Sequence, residues 1–509
     1  MKDKIKKSSH PVMFFVYMSI LVVILSGIFS ALNFQVTYDV LTTIAGEVES
    51  KTVAINSLLS FDGLKYLFTS SYDNLNNFVP FTSLLIGAIS FGIALKSGFF
   101  KTLFNRITSK VPKWLIVFLY SLLCIVFSAS GNTAYILILP IGAILFMSMG
   151  RNPIGGLALG FASIASAHGA GLFVNSLDYN LVSTTEASAK LISSEYTVAQ
   201  NSNLIFMIAA ALVIAAIFTL VCEKVMVRKQ GRNLLSDDEE TVVEEERENK
   251  GLIGALVATL VFLIPLILMI IPGKGFIGLL LDKSQTGYVN MLFSDEALFM
   301  SNLVSIISLL FGIQGFVYGV VAGTIRKIRD MVNFSTDYLK SIGGIFVLIF
   351  FAAQFYGIVN QTNIGNVAAG FFANIISSSD FSFIPLVMLL LLFVALTNII
   401  MPSSIDKWAI FAPTVIPAMV KANITPEFAQ LIYRAGDSIT NCITPVFMYF
   451  VIFIGFIEVY TKNKNEFSIK GCYRAILPYF AVAILVWLLL IICWYIIGLP
   501  IGPNIYPGL

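Results

Sequence analysis

The chain has 509 residues, of which 57% are hydrophobic and only 12% are charged, and its mean hydropathy is +0.86. These values exclude an ordinary soluble globular protein and predict a polytopic membrane protein. The net charge of +3 is too small to predict nucleic-acid binding. The five cysteines fall mainly in or beside apolar segments without a short spacing, so we predict neither a disulfide framework nor a zinc site.

Nine apolar segments have the length of a membrane-spanning helix. They lie near residues 12–32, 79–99, 154–175, 203–222, 252–272, 297–324, 346–370, 428–460 and 476–498. Two further apolar runs, 114–150 and 381–420, are too long for one crossing and are interrupted in the middle. We therefore predict an all-α polytopic membrane protein with about nine transmembrane helices and two re-entrant hairpins. Residues 33–77 are predicted to form an outer loop.

An acidic run, SDDEETVVEEERENK at 236–250, divides the chain into an N-terminal half, 1–235, and a C-terminal half, 251–509. Such a run is typical of a solvated linker. If the N-terminus is cytoplasmic, 24 of the 32 Lys and Arg residues lie on the cytoplasmic side, six lie outside, and Lys407 and Arg434 lie at membrane depth. The positive-inside rule expects this asymmetry. The first hairpin is then predicted to enter from the cytoplasm and the second from outside, which makes the two repeats inverted.

The two hairpins share a residue pattern at a constant offset of 273 positions. Ser130, Tyr135, Pro140 and Pro153 recur as Ser403, Trp408, Pro413 and Pro426. A helix that is broken at membrane depth leaves backbone groups that hydrocarbon cannot satisfy, so paired breaks indicate a polar cavity. Half-helix N-termini favour anions, and unwound carbonyls can hold a cation. The breaks therefore predict a site for a solute and a coupled ion, although helix kinking for packing is the structural alternative.

Ionisable residues at membrane depth are functional candidates, and most of them lie in the same region. They are Asp178 in the first repeat and Asp406, Lys407, Arg434 and Asp437 in the second. Arg434 and Asp437 are three residues apart, so on a helix they share a face and can pair, within a site or as a purely structural ion pair. Asp406 and Lys407 are either part of the site or an exposed pair at the hairpin tip.

Two ring-bearing residues leave alternatives open. Trp408, predicted to lie beside Arg434, suits an aromatic solute or is an interface anchor. His168 is either a proton relay or a hydrogen-bonded packing histidine, and we favour packing.

The remaining patterns exclude several functions. The chain contains no GxxxxGK[ST] phosphate-binding loop, so ATP hydrolysis by this chain is not expected to supply energy. A membrane-embedded enzyme or receptor would need a catalytic constellation or a sensory domain that the sequence does not indicate. An ion channel would need a continuous polar pathway instead of two occluding hairpins. We therefore predict a secondary active transporter that is not an enzyme and has no cofactor.

Long ordered segments resemble one known family nearly end to end. The most specific are LPIGAILFMSMGRNPIGG, FAAQFYGIVNQTNIG, DKWAIFAPTVIPAM, FAQLIYRAGDSIT and the terminal VWLLLIICWYIIGLPIGPNIYP. They are similar to the p-aminobenzoyl-glutamate transporter family (AbgT). The resemblance implies a homodimer in the bacterial cytoplasmic membrane that moves p-aminobenzoyl-glutamate or a related aromatic or peptide-like carboxylate, by uptake or by efflux of antifolates such as sulfonamides. A di- or tricarboxylate or amino-acid carrier is the alternative.

The resemblance also implies roles for individual residues. Candidate ligands of the coupling ion, Na⁺ or H⁺, are Asp178, Asn398 and Asp437. Arg434 is expected to face a solute carboxylate and Trp408 an aromatic ring, while Pro445 keeps its helix unwound. The predicted solute-binding set is completed at the hairpin tips by Ser130, Asn132 and Ser403.

The chain departs from the family pattern at several of these places. Asn132 stands where an acid is expected, and Gly171 stands where Asn is expected, with Asn175 one helical turn away as a possible substitute. The family pattern GSASAKW appears as PSSIDKW, which introduces Pro402, Ile405 and Asp406. These departures concern the choice of substrate more than the transporter class.

Overall fold

The computed structural model describes residues 10–42, 47–227, 244–294, 296–379, 381–461 and 467–508, and these are mostly helical. The N-terminal half contains α1 (Pro11–Ala31), β1 (Gln35–Leu41), β2 (Val48–Ala54), α2 (Phe61–Thr69), α3 (Ser71–Asn76), α4 (Val79–Lys96), α5 (Phe99–Lys110), α6 (Lys113–Ser128), α7 (Leu139–Ser148), α8 (Pro153–Ala165), α9 (Ser176–Ala189) and α10 (Leu204–Val221). Short π-helical turns at Ala134–Ile138 and Cys222–Met226 precede α7 and follow α10.

The C-terminal half contains α11 (Glu245–Ile270), α12 (Tyr288–Phe293), α13 (Leu298–Ser301), α14 (Leu303–Ala322), α15 (Ile328–Gln361), α16 (Ile364–Ser377), α17 (Phe383–Asn398), α18 (Ser404–Lys421), α19 (Pro426–Thr440), α20 (Phe450–Tyr460) and α21 (Ile469–Ile497). Within the described residues, seven helices are long and apolar enough to cross a membrane, namely α1, α4, α10, α11, α14, α15 and α21. The fold class is therefore that of an all-α polytopic membrane protein, whereas the number of nine crossings stays a prediction.

Both predicted hairpins are pairs of short apolar helices. The first consists of α6 and α7, which turn at Gly131, whose φ of +51° is a left-handed conformation that favours glycine. The second consists of α17 and α18, joined by the non-helical residues 399–403. Ser403 begins α18 as its N-cap, because its hydroxyl accepts from the backbone N–H of Asp406.

Several predicted crossings contain more than one helix: 297–324 contains α13 and α14, and 346–370 contains the end of α15 and the start of α16. The two longest breaks lie elsewhere. The segment 154–175 becomes α8, which ends at Ala165, and the segment 428–460 becomes α19 and α20. The intervening residues 166–175 and 441–449 are non-helical. The 273-residue offset also relates the helix ends, since α8 and α19 begin at Pro153 and Pro426 and α7 and α18 end at Ser148 and Lys421. Proline is favourable at the start of both helices, because the backbone N–H that it lacks would have no hydrogen-bond partner within the helix at that position.

The outer loop and the linker differ from the predictions. Residues 33–77 contain an antiparallel hairpin in which Gln35 pairs with Ala54 and Leu41 pairs with Val48, as well as α2 and α3. Residues 228–243 lie outside the described part of the chain, but the end of the predicted linker is the start of α11. Glutamate and lysine favour helix, and Glu246 pairs with Lys250 at 2.7 Å one turn along.

The helices differ sharply in burial, which identifies the centre of the molecule. All 15 residues of α19 are buried, and α8 is buried except at Ile154. By contrast, α11 exposes apolar side chains such as Ile253 and Ile264, each 62% exposed, as a lipid-facing helix does. Because α19 is buried on every side, its polar residues require partners inside the protein.

Candidate functional site

The two non-helical segments 166–175 and 441–449 meet at the centre of the molecule. His168 Nδ1 lies 3.2 Å from Asn441 Nδ2, which also donates to the carbonyl of Ala165 at 3.3 Å. Asn441 follows His168 by 273 positions, so equivalent residues of the two repeats touch each other. The candidate site lies where these broken helices cross, and it draws its polar groups from both halves of the chain.

Arg434 of α19 forms a buried ion pair with Asp178 of α9. Its Nη1 donates to Asp178 Oδ1, and its Nε donates to the backbone carbonyl of His168 at 2.6 Å. The two side chains are only 2% and 4% exposed. Asp178 Oδ2 accepts from the backbone N–H of Asn175 at 2.8 Å in a capping box that starts α9. The predicted Arg434–Asp437 pair is therefore wrong, because the guanidinium points to the opposite repeat.

Lys407 of the second hairpin pairs with Asp437 instead. Its Nζ donates to Asp437 Oδ1, to Asn398 Oδ1 at 2.5 Å and to the backbone carbonyl of Met401 at 3.2 Å. The side chain of Lys407 is 0% exposed. The alternative of an exposed Asp406–Lys407 pair at the hairpin tip is wrong. Asp406 is exposed and accepts from the hydroxyl of Ser403 at 2.6 Å.

Asp437 is held from several sides. Its Oδ2 lies 2.7 Å from His168 Nδ1 and accepts from the hydroxyl of Ser404. Asn398 donates to the backbone carbonyl of Asp437 at 3.0 Å and to Asn441 Oδ1 at 2.7 Å. The structure therefore places Asn398 and Asp437 together.

Asp178, by contrast, belongs to a separate ion pair with Arg434. Asp178 with Arg434 and Asp437 with Lys407 each balance one buried charge, which avoids the large cost of an unpaired buried charge.

Trp408 lies in a closed aromatic contact. Its indole Nε1 donates to the hydroxyl of Thr185 at 2.9 Å, and its ring centroid lies 4.5 Å from that of Tyr433. The Tyr433 hydroxyl donates to the backbone carbonyl of Ser404 at 2.5 Å. Trp408 is 0% exposed, so its ring faces are covered by protein in this conformation.

Among the described residues, the predicted residues of the first hairpin tip are not hydrogen-bond partners of these ion pairs. Ser130 donates to the carbonyl of Phe127 at 2.5 Å, which closes the turn, and Asn132 follows Gly131 directly. This hairpin reaches the central break through Tyr135, whose ring stacks on that of Tyr449 with centroids 4.2 Å apart.

The remaining predicted positions lie in the two breaks. Pro445 is one of the non-helical residues 441–449. Gly171 donates its backbone N–H to the carbonyl of Met207 at 3.1 Å. Asn175 caps α9, since its side chain accepts from the backbone N–H of Leu177 at 2.9 Å.

A cavity of about 340 Å³ adjoins the tip of the second hairpin. It is lined by Tyr356, Val359, Asn360, Asn363, Gly365, Asn366, Ile400, Met401, Pro402, Ser403 and Asp406. Met401 belongs both to this cavity and to the surroundings of Lys407, so the cavity and the buried ion pair share the hairpin tip. Pro402 and Asp406, two of the departures from the family pattern, therefore line this cavity.

Sequence reasoning missed Ser404, Tyr433 and Asn441. Asn441 could have been found, because the repeat offset relates it to His168, whereas Ser404 and Tyr433 carry no comparable signal. Among the described residues, no group of three His, Cys, Asp or Glu side chains is arranged to hold a metal ion.

Apolar helices long enough to cross a membrane, with two broken helices that meet at buried charges, are typical of a multi-pass transporter of a small-molecule substrate. The chain belongs to the AbgT putative transporter family, which it matches over residues 4–509. This confirms the resemblance deduced from the sequence segments. The family is a transporter family and the Escherichia coli relative is named as a transport protein, so the chain is a transporter and not an enzyme.

Three relatives cover almost the whole chain. The p-aminobenzoyl-glutamate transport protein of Escherichia coli K12 is 27% identical over 503 residues, which are 99% of this chain and 95% of that protein. The crystal structure of the YdaH transporter of Alcanivorax borkumensis is 28% identical and covers 97% of this chain and 100% of its own, with a TM-score of 0.49. The Neisseria gonorrhoeae MtrF structure, described as illuminating a class of antimetabolite efflux pumps, is 30% identical and covers 98% of both chains, with a TM-score of 0.49.

Proposed function

We propose that this protein is a secondary active transporter that couples the movement of p-aminobenzoyl-glutamate, or a related aromatic or peptide-like carboxylate, to an ion gradient. The observation that carries the proposal is the guanidinium of Arg434, buried between two broken helices and paired with a carboxylate from the other repeat. A buried Arg fork is well suited to a planar carboxylate.

The ion pair itself suggests how a solute is accepted. Asp178 presents to Arg434 the chemical group that a solute carboxylate would present. A solute that replaces Asp178 keeps the guanidinium paired, so its binding avoids the cost of a buried lone charge. Asp178 then moves away from Arg434, and because its side chain belongs to the capping box that starts α9, this movement couples solute binding to the first repeat.

The coupling-ion site is proposed at Asp437. Its carboxylate, the amide oxygen of Asn398 and the carbonyl of Met401 converge on one point, and such oxygen ligands suit a hard cation. Either Na⁺ or a proton would serve as the coupling ion. His168 connects the two proposed sites. Its imidazole contacts Asp437, and its backbone carbonyl accepts from Arg434, so a movement at one site is transmitted to the other.

The distribution of charges and the family support a proposal about the membrane, the orientation and the oligomeric state of the protein. We place the protein in the bacterial cytoplasmic membrane with a cytoplasmic N-terminus, as a homodimer. The Escherichia coli relative is named for p-aminobenzoyl-glutamate transport and the gonococcal relative is described in terms of antimetabolite efflux. The gradients present in the cell decide between uptake and efflux.

Uptake of labelled p-aminobenzoyl-glutamate into proteoliposomes, with sodium and proton gradients imposed separately, tests the proposal. We expect accumulation under one gradient, loss of ion dependence in Asp437→Asn, and unchanged uptake in Lys340→Met, which removes an exposed lysine paired with Asp337. Absence of uptake by the wild-type protein under both gradients would contradict the proposed substrate. Ion-driven uptake that persists in Asp437→Asn would contradict the proposed ion site.

A further inference from the structure

We propose that the ammonium group of Lys407 is a tethered cation that occupies the coupling-ion site, so that Lys407 and a free sodium ion exclude each other. The inference rests on the proposed function, because it concerns the same ion site. Whether the site binds sodium then depends on whether the ammonium group of Lys407 occupies it.

The geometry around Lys407 is that of a cation site. An ammonium group has three N–H donors, and three oxygens accept them, from Asp437, Asn398 and Met401. These acceptors are a carboxylate, an amide and a backbone carbonyl, which are the oxygen ligands a hard metal cation takes in proteins. The side chain is 0% exposed, so no water-filled space separates the ammonium from the oxygens.

The charge of the pocket allows one cation at a time. Asp437 is the acid that contacts Lys407, and Asp178 is already paired with Arg434. A second cation beside Lys407 would be buried without a counter-ion. The free energy of removing such a charge from water would not be offset by an ion pair, so this state is strongly disfavoured. Sodium can therefore enter only when the ammonium leaves, and the ammonium can return only when sodium leaves.

The position of Lys407 links this exchange to the hairpin. Lys407 lies in the first turn of α18, a few residues after the tip 399–403, and Met401 of that tip both binds the ammonium and lines the adjacent cavity. Withdrawal of the ammonium therefore requires the start of α18 to move relative to α19, which carries Asp437. Occupation of the site by Lys407 corresponds to a hairpin tip held against α19.

Sodium-dependent thermal stability of the purified protein tests the inference without using a transport substrate. Sodium chloride is titrated against N-methylglucamine chloride at constant ionic strength, and the unfolding midpoint of wild type is compared with that of Lys407→Met. Ligands that bind only the folded state raise the midpoint. We expect Lys407→Met to be less stable than wild type without sodium, to be restored by sodium, and to respond at a sodium concentration at least about tenfold lower than wild type. An identical sodium response in the two proteins would overturn the inference.

Two further variants make every outcome decisive. Lys340→Met removes an exposed lysine and should respond like wild type. The double variant Lys407→Met/Asp437→Asn removes both charges of the pair and should fold without a sodium response. If Lys407→Met fails to fold even in sodium while the double variant folds, sodium does not replace the ammonium and the inference is wrong. Solute uptake by the wild-type protein separately tests the proposed function, so the two failures are distinguishable.

Discussion

The ion pair between Arg434 and Asp178 makes a quantitative prediction about coupling between the two repeats. Arg434→Met leaves Asp178 buried with only the cap N–H of Asn175 as a partner, and Asp178→Asn leaves the Arg434 charge against neutral groups. Breaking a buried ion pair on one side costs about 3–5 kcal/mol. We therefore expect each single variant to lose stability in this range.

The double variant Arg434→Met/Asp178→Asn removes both charges and should cost less than the sum of the single changes. Contacting residues show coupling energies of up to about 3 kcal/mol, and we expect about 2–3 kcal/mol here. The assay is equilibrium unfolding of the purified protein in mixed micelles, with all four proteins of the cycle measured under one condition. Unfolding free energies then give the coupling directly.

A second cycle discriminates this pairing from the one that helical spacing predicts. Arg434→Met and Asp437→Asn are combined in the same assay, and their coupling should be smaller because Asp437 pairs with Lys407. A larger coupling of Arg434 with Asp437 than with Asp178 would refute the reasoning about how the two repeats are joined.

Three further substitutions test packing around the site by thermal unfolding and by solute uptake. Thr185→Val removes the hydrogen-bond acceptor of the buried Trp408 indole and should cost about 1–3 kcal/mol, whereas Thr184→Val, which loses a bond of 3.4 Å, should cost less. Gly169→Ala would place a Cβ 2.8 Å from the Trp487 ring and 3.5 Å from Arg434 Cβ, so it should lower both stability and uptake, while Gly343→Ala has open space and should be silent. Tyr433→Phe removes the hydroxyl that holds the carbonyl of Ser404 and should cost about 1 kcal/mol. Equal effects of a variant and its control, or an unchanged midpoint for Tyr433→Phe, would count against these contacts.

The hairpin turns and the starts of the helices beside them could be predicted from the sequence because their signals are local, whereas the breaks at 166–175 and 441–449 lie inside segments that were predicted as crossings. Proline at the first helical position, a serine N-cap and a glycine turn act through the backbone of neighbouring residues, as at Pro153, Pro426, Ser403 and Gly131. The repeat offset then related the two halves without any knowledge of packing. The hairpin of β1 and β2 also has a local signal, the alternation of polar and apolar residues in QVTYDVL. The prediction of a loop over residues 33–77 did not include this strand.

The ion-pair partners could not be predicted because they depend on tertiary packing. A spacing of three residues places Arg434 and Asp437 on one side of α19, yet each meets a different neighbour. Asp178 arrives from the first repeat and Lys407 from the second hairpin, at separations of 256 and 30 residues. Local spacing contains no information about which of these groups approaches more closely. The same limit explains why the sequence left open whether Lys407 belongs to the site or is exposed at the hairpin tip.

Equilibrium binding of labelled p-aminobenzoyl-glutamate to the purified protein tests most directly the central claim that Arg434 receives the carboxylate of the solute. The account predicts that Arg434→Met weakens binding by at least about tenfold, that Asp178→Asn tightens it because the competing carboxylate is removed, and that Lys340→Met leaves it unchanged. Binding by Arg434→Met that equals binding by the wild-type protein would contradict the account.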